Sequence, residues 1–268
     1  MYSERAVTMP TGVRVCRVNV HTFLRQMWRR TLAAAAASAT TCAAIVGAGN
    51  NSSGSDGSSQ LARVVERKEI AKTRFISLQS LSYLDATGCE RKWDMASRTT
   101  KKDGEPDGVA ILALLRSRAA ADVEMLLVQQ FRPPVNALTI ELPAGLIDPG
   151  ESAETAAVRE LKEETGYEGT VVLTSQVLAM SPGMCDEMIR LCVVDVDLDA
   201  PPNRTPRQQL EESEFIKVHR VPIKQLLTRL KAMEGDGLMP IGGLFLLATG
   251  LAIGQAASSG SQNLHANL

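Results

Sequence analysis

The sequence predicts a mixed-sheet α/β sandwich, preceded by an antiparallel strand pair and by an N-terminal segment outside the fold. Three observations predict it. Short β-rich runs outnumber helical stretches from about residue 61 onward, and the helical stretches fall between the strands. One segment, GLIDPGESAETAAVRELKEETGY (145–167), gathers six acidic residues on a loop and an expected helix. A chain of 268 residues with 44% hydrophobic content can bury one full core, or one core plus an extension.

Residues 1–60 read differently from the rest. They carry Arg5, Arg14, Arg17, Arg25, Arg29 and Arg30 against only Glu4 and Asp56, and end in GAGNNSSGSDGSS, which lacks the apolar surface to fold. This composition fits an organelle presequence and linker, mitochondrial before plastid, with a cytoplasmic protein as the alternative. The competing reading is a disordered extension without an address. The Ala-dominated run Leu32 to Val46 is too short and too weakly apolar to span a bilayer, which takes ~20 residues. LMPIGGLFLLATGLAIG, near the C-terminus, reads for the same reason as a helix packed on the core, so no membrane partner is expected. One domain is expected over residues 61–258, then a disordered tail, 259–268.

Within the domain, Thr73–Leu84 and Arg91–Thr99 read as strands around the turn DATGCE. Val109–Leu115 and Met125–Gln130 form a central hairpin, and Leu138–Leu142 a short strand. A Pro/Gly turn then leads into a helix, Ala153–Thr165, which Ser152 caps and Gly166 stops. Thr170–Leu173, Met188–Val196 and Phe215–Val221 follow as strands, and Pro222–Met233 and Ile241–Ile253 close the fold as helices.

Charge and cysteine usage exclude some functions. Beyond residue 60 the chain has 23 basic and 28 acidic residues, so it offers no electrostatic case for nucleic acid. Cys16, Cys42, Cys89, Cys185 and Cys192 are odd in number and form no CxxC pair, which argues for reduced thiols.

The acidic helix carries the chemistry. At about 100° per residue, Glu160, Glu163 and Glu164 share one quadrant with Ala153 and Ala156, while Ala157, Val158, Leu161 and Thr165 can seat the helix on the sheet. Two unit charges about 4 Å apart repel by roughly 4 kcal/mol when partly buried, so the cluster calls for a positive partner. A hard divalent cation is the natural one. The bland alternative is a solvated helix face, but only Lys162 lies nearby, on the opposite side. In the preceding loop Gly145 permits close backbone approach, and Glu151 with Arg159 reads as an ion pair that fixes the loop.

Gly145, Glu151, Arg159, Glu160, Leu161, Glu163, Glu164, Gly166 and Tyr167 match the Nudix box without a gap. Seven of these positions demand a single residue type, each met by chance at roughly 7% or less, so a random window matches on the order of once in 10⁸. With LVQQFRPP, IELPAGLIDPGE, SPGMCDE and EFIKVHRVP, the chain resembles the ADP-ribose pyrophosphatase branch of the Nudix hydrolases over about Arg74 to Gly254. The resemblance implies an α/β/α sandwich, usually a homodimer with exchanged N-terminal strands. It implies metal ligation by the Ala144 carbonyl, Glu160 and Glu164, with Glu163 assisting. Mg²⁺ is the implied ion, with Mn²⁺ as the alternative. Arg132 and Arg98 match arginines that hold the substrate, and Trp93 matches one member of an adenine-stacking tryptophan pair. The other member falls at Phe75, a departure. Met184, Asp186 and Glu187 lie where the branch shapes its terminal-sugar pocket; a simple Pro-Gly turn is the bland reading.

The implied reaction is hydrolysis of a nucleoside diphosphate sugar, ADP-ribose first, to AMP and ribose 5-phosphate. ADP-glucose, GDP-mannose or an oxidised nucleoside diphosphate are alternative substrates, and a silent ADP-ribose sensor is an alternative of another class. Such chemistry needs a carboxylate to take a proton from water. His21, His219 and His265 are poor candidates, His219 because it alternates within a strand. Glu214 matches the branch's loop glutamate, with Glu211 and Glu212 adjacent.

Overall fold

The computed structural model describes residues 62–101 and 104–258. The Arg-rich segment 1–60, with its expected presequence, and the tail 259–268 lie outside them, as do Cys16, Cys42, His21 and His265. The described residues fall into two compact units, one holding 62–64 and 83–91, the other 65–82 and everything from Lys92. In the first, Asp85 organises the expected turn: its Oδ1 accepts from the Thr87 and Cys89 amides at 2.9 and 3.0 Å, and Gly88 takes the positive φ of 81° that closes it.

Strands β1 (Arg63–Lys72), β2 (Ile76–Leu84) and β3 (Glu90–Arg98) form a three-stranded sheet in that order. The sequence reading did not foresee β1. Every residue of it is exposed, so it lacks the in-out alternation that marks a strand. Residues 73–75, expected as strand, are instead the turn into β2, where Thr73 N–H donates to the Ile76 carbonyl at 2.8 Å.

The second sheet has nine strands: β4 (Gly108–Arg116), β5 (Glu124–Arg132), β6 (Ala137–Glu141), β7 (Ala144–Leu146), β8 (Thr170–Thr174), β9 (Leu178–Ala179), β10 (Met188–Asp197), β11 (Lys217–Pro222) and β12 (Met239–Pro240). Its main path runs β12-β6-β5-β4-β10-β8. β10 lies parallel to β4 from Ile189↔Gly108 to Asp197↔Arg116, and most other pairs are antiparallel, so the sheet is mixed as expected. The central hairpin is paired only near its turn, at Leu114↔Met125 and Leu115↔Glu124. Below that the strands part: β4 takes β7 as its partner and β5 takes β6, while β11 pairs with β5 from Gln129 to Glu124. That divergence seats β7, and with it Ala144 and Gly145, against the start of β4.

Helices α1 (Ala153–Thr165), α2 (Leu226–Gly235) and α3 (Gly242–Ser258) cover the sheet. Strand side chains alternate between faces, and the core divides accordingly. Val109, Ile111, Ala113, Leu115 and Leu126 pack with Ala156, Ala157 and Leu161 of α1. Met125, Leu127 and Ile140 pack with Leu226, Leu230, Leu244 and Ala248 of α2 and α3. The architecture is therefore the expected α/β/α sandwich. The apolar C-terminal segment forms α3 on the second core, and among the described residues no helix is long and apolar enough to cross a membrane.

Two details of the helix reading need correction. Val158, expected to seat α1, is 37% exposed, whereas Ala153 and Ala156, assigned to the acidic side, are buried in the core. Small side chains let α1 settle deeply on the sheet, which draws the acidic quadrant down with it; Glu164 is only 4% exposed.

Candidate active site

The site is built on α1 and the loop that precedes it. Ser152 Oγ accepts from the Thr155 amide at 3.2 Å and Gly166 ends the helix at φ 77°, so the ends of α1 are fixed by local chemistry. A Cβ on Gly166 would stand 2.3 Å from the Arg207 amide nitrogen, so this cap also lets the 205–216 segment press against the helix end. A Cβ on Gly145 would stand 1.9 Å from the Glu160 carboxyl carbon. Glycine there brings the β7 backbone onto the acidic face.

Arg159 does more than the loop ion pair expected of it. Its Nε and Nη2 donate to Glu151 at 3.0 and 2.9 Å, and Nη2 also donates to the Leu146 carbonyl at 3.0 Å. Its Nη1 donates to Glu160 at 2.8 Å and Glu163 at 3.1 Å. The acidic cluster is thus partly neutralised by its own helix, which corrects the expectation of an unneutralised triad. The Glu151 pair holds the Arg159 guanidinium well above the ordinary arginine range, and Arg159 in turn holds the Glu151 carboxyl below the usual carboxylate range. Glu151 also accepts from the Asp148 amide at 3.1 Å, closing the loop on itself.

Glu164 lies beyond the reach of that fork. One oxygen accepts from the Ala144 amide at 3.1 Å. Burial, reinforced by the negative charges of Glu160 and Glu214, pushes its carboxyl up to about 8. Burial raises Glu160 too, with Glu163 and Glu214 adding to the effect and Arg159 opposing it. Glu214 therefore belongs to the same electrostatic cluster, although it stands 50 residues beyond Glu164 in the chain. Within EESE it is the half-buried acid, while Glu211 and Glu212 are exposed; its carboxylate accepts from the Glu211 amide at 2.9 Å. Gln208 fastens this loop, its Nε2 donating to the carbonyls of Glu164 at 2.7 Å and Ile216 at 3.0 Å. His219 sits on β11 with Nε2 2.9 Å from Gln129 Oε1, and burial followed by the charge of Lys217 lowers its pKa, in keeping with the structural reading.

A second group lies between β3, β5 and the start of β10. Arg98 Nε donates to Glu187 at 2.9 Å, and Ser97 Oγ donates to Asp186 Oδ2 at 3.1 Å. Asp186 Oδ1 is buried without a hydrogen-bond partner among the described residues. The Met184 carbonyl accepts from the Ala96 amide at 2.9 Å while its side chain is 63% exposed. Arg132 is bound by Glu141 and also feels the charges of Glu164 and Glu187, so it stands between the two groups. Trp93 and Phe75 are both exposed, and among the described residues they make no ring contact with each other. Phe75 instead has the Arg74 guanidinium 4.8 Å from its ring centre.

The pattern of the NUDIX domain matches residues 105–239. The ADP-ribose pyrophosphatase of Saccharomyces cerevisiae is 40% identical over 184 residues, covering 68% of this chain and 80% of its own. The chain belongs to the Nudix hydrolase family. The ADP-sugar pyrophosphatase of Mus musculus is 34% identical over 195 residues, 73% of this chain and 88% of its own. A solved ADP compounds hydrolase shares the fold, with a TM-score of 0.52 at 18% identity over 77% of this chain and all of the other.

Nudix hydrolases use a divalent metal, and the donor set here suits one. Glu160, Glu163 and Glu164 offer hard carboxylate oxygens beside the Ala144 backbone, and the buried, charge-crowded Glu164 would gain most from a cation. Among the described residues no three His, Cys, Asp or Glu side chains already converge on one point. The hydrogen bonds give the reason: Glu160 and Glu163 are turned onto Arg159, and Glu164 onto the Ala144 amide.

Three supporting groups escaped the sequence reading. Glu141 stands inside the motif IELPAGLIDPGE, yet nothing in that motif marks it as a partner of Arg132. Asp107 accepts from Lys101 Nζ at 2.7 Å and from the Met188 amide at 2.8 Å, tying the exit of β3 to the start of β10. Gln208 carries no motif signal. Gln208 and Asp107 reach partners 44 and 81 residues away, and Glu141 meets Arg132 across a strand pair, which no local pattern reveals.

Proposed function

We propose that this Nudix hydrolase cleaves the diphosphate bond of ADP-ribose and related ADP-sugars to AMP and the sugar phosphate, using Mg²⁺, with Mn²⁺ as the alternative ion. The observation that carries the reading is the complete Nudix box, its acids gathered on one half-buried face of α1 and joined electrostatically by Glu214. The two named relatives act on ADP-ribose and ADP-sugars by their names, which supports the substrate class.

Bound divalent metal would offset diphosphate charge and lower the pKa of an attacking water, with Ala144, Glu160, Glu163 and Glu164 as its holders. Glu214, whose loop is held by Gln208, would accept that water's proton. Arg132 and Arg98 neutralise and orient the diphosphate, while Glu151 and Arg159 keep the loop and Glu160 in place. Trp93 and Phe75 stack on the adenine from the exposed β1–β3 region, and Met184, Asp186 and Glu187 shape the terminal-sugar end. A homodimer that exchanges N-terminal strands would cover the exposed Val64, Val65, Ile70 and Leu78. Residues 1–60 serve as an organelle presequence, mitochondrial first; imaging a tagged fusion of that segment tests it, and diffuse cytosolic signal would refute it.

The deciding experiment incubates the protein with Mg²⁺ and a panel of ADP-ribose, ADP-glucose, GDP-mannose and an oxidised nucleoside diphosphate, ranked by kcat/KM. ADP-ribose should rank first and yield AMP. Another substrate in first place refutes the specificity, and tight ADP-ribose binding without turnover would make the protein a sensor.

A further inference from the structure

Arg132 closes β5 and Glu141 closes β6, and these strands pair antiparallel, with Val128 opposite Glu141 and Arg132 opposite Ala137. Arg132 Nε and Nη2 donate to Glu141 Oε1 and Oε2 at 2.8 and 2.7 Å, a side-on bidentate pair. The two ends differ sharply in environment: the Glu141 side chain is 8% exposed and that of Arg132 is 44% exposed. Thr139, itself buried, places its hydroxyl against Glu141 Oε1 and 3.1 Å from the Gln130 carbonyl, so the carboxylate is held from below as well. Burial alone would raise the Glu141 carboxyl, but the bonds from Arg132 and Thr139 hold it below its ordinary value.

Stability alone does not account for this arrangement. With the carboxylate end buried, desolvation offsets much of the attraction, so the net gain over apolar residues of the same volume is small. A bidentate carboxylate does fix the plane of a guanidinium, which a single hydrogen bond leaves free to rotate. Glu141 engages Nε and Nη2, and among the described residues Nη1 has no hydrogen-bond partner, which leaves it as a donor edge on the more exposed member of the pair. That guanidinium feels both Glu164, on the metal-facing helix, and Glu187, at the sugar end.

We infer that Glu141 is a positioning residue, which orients Arg132 so that its Nη1 edge meets a diphosphate oxygen. The inference rests on the proposed diphosphate substrate. It adds a specificity element, because an arginine with a fixed plane favours an oxygen at one place along the substrate.

The test is a double-mutant cycle of Glu141→Gln and Arg132→Lys, with binding of inorganic pyrophosphate measured by calorimetry and turnover measured on ADP-ribose. Glu141→Gln keeps the shape but loses one acceptor and the charge; it should weaken pyrophosphate binding and raise KM about tenfold, with kcat changed far less. Adding Glu141→Gln to Arg132→Lys should change neither quantity further. A purely structural Glu141 would lower the melting temperature and act equally on both backgrounds. Multiplying effects, or a wild-type KM in Glu141→Gln, would overturn the inference. Should that variant not fold, Thr139→Val replaces it in the same cycle, with a smaller shift of the same sign expected and independent effects refuting it. Pyrophosphate binding separates the two readings: coupling seen there without ADP-ribose turnover would refute the substrate and leave the positioning role standing.

Discussion

Replacing Glu164 by Gln should make the metal-free protein more stable while removing its activity. The Glu164 carboxyl is raised to about 8 from an ordinary 4.5, and at 4% exposure solvent screens it little. Its folded pKa exceeds its unfolded one, so its contribution is fully present below about pH 4.5 and is lost as pH rises through 8. At about 1.4 kcal/mol per pH unit, holding it in the folded state costs roughly 3 kcal/mol at pH 7 and about 5 above pH 8. Gln is uncharged and its amide oxygen can still accept from the Ala144 amide, so the variant escapes that cost. For a domain of this size about 3 kcal/mol is roughly 6–12 °C, so Glu164→Gln in EDTA should melt that much higher at pH 7, the gap closing toward pH 5. Divalent metal closes most of that gap. Wild type should gain about 2.7 kcal/mol at a metal concentration of 100 Kd, whereas the variant should gain little and release no AMP. Melting curves over a grid of pH and Mg²⁺, with AMP release in parallel, read all of this. A normal Mg²⁺ shift or near-normal turnover in the variant would refute the ligand assignment, and an unaltered pH slope would refute the electrostatic argument.

Glu214→Gln should lower kcat by about 10²–10⁴-fold while the Mg²⁺-dependent melting shift persists; an unchanged kcat would move the base elsewhere in EESE. Gly145→Ala drives a methyl into the Glu160 carboxylate, which can swing aside. The fold should survive while kcat/KM drops by about 10- to 100-fold, and full activity would show that Glu160 need not lie against β7. Arg159→Lys exchanges a fork that reaches Glu151, Leu146, Glu160 and Glu163 for a single ammonium. It should destabilise the protein by about 2–4 kcal/mol in chemical denaturation, and a loss below 0.5 would mean that the loop holds itself.

Local physics made much of this protein legible. The span Ala153–Thr165 followed from a cap, a stop and a helical period, and the structure reproduces it residue for residue. The strands with clear alternation were found to within a few residues. β1 was not, because a strand exposed along its whole length has no pattern to read. The acidic quadrant was visible as geometry on one helix, yet its depth was not, since that depends on how closely the alanines of α1 approach β4.

Contiguous residues alone carry the family, the layer architecture and the identity of the acids gathered on α1. How those charges are balanced depends on contacts made in space. Arg159 was expected to serve Glu151 alone, but helical spacing also carries its fork to Glu160 and Glu163. Glu214 reaches the same cluster only because Gln208 and the Gly166 cap bring a distant loop onto the end of α1. Glu141 grips Arg132 across two paired strands. Electrostatic energy depends on distance through space and on burial, and neither is fixed by separation along the chain.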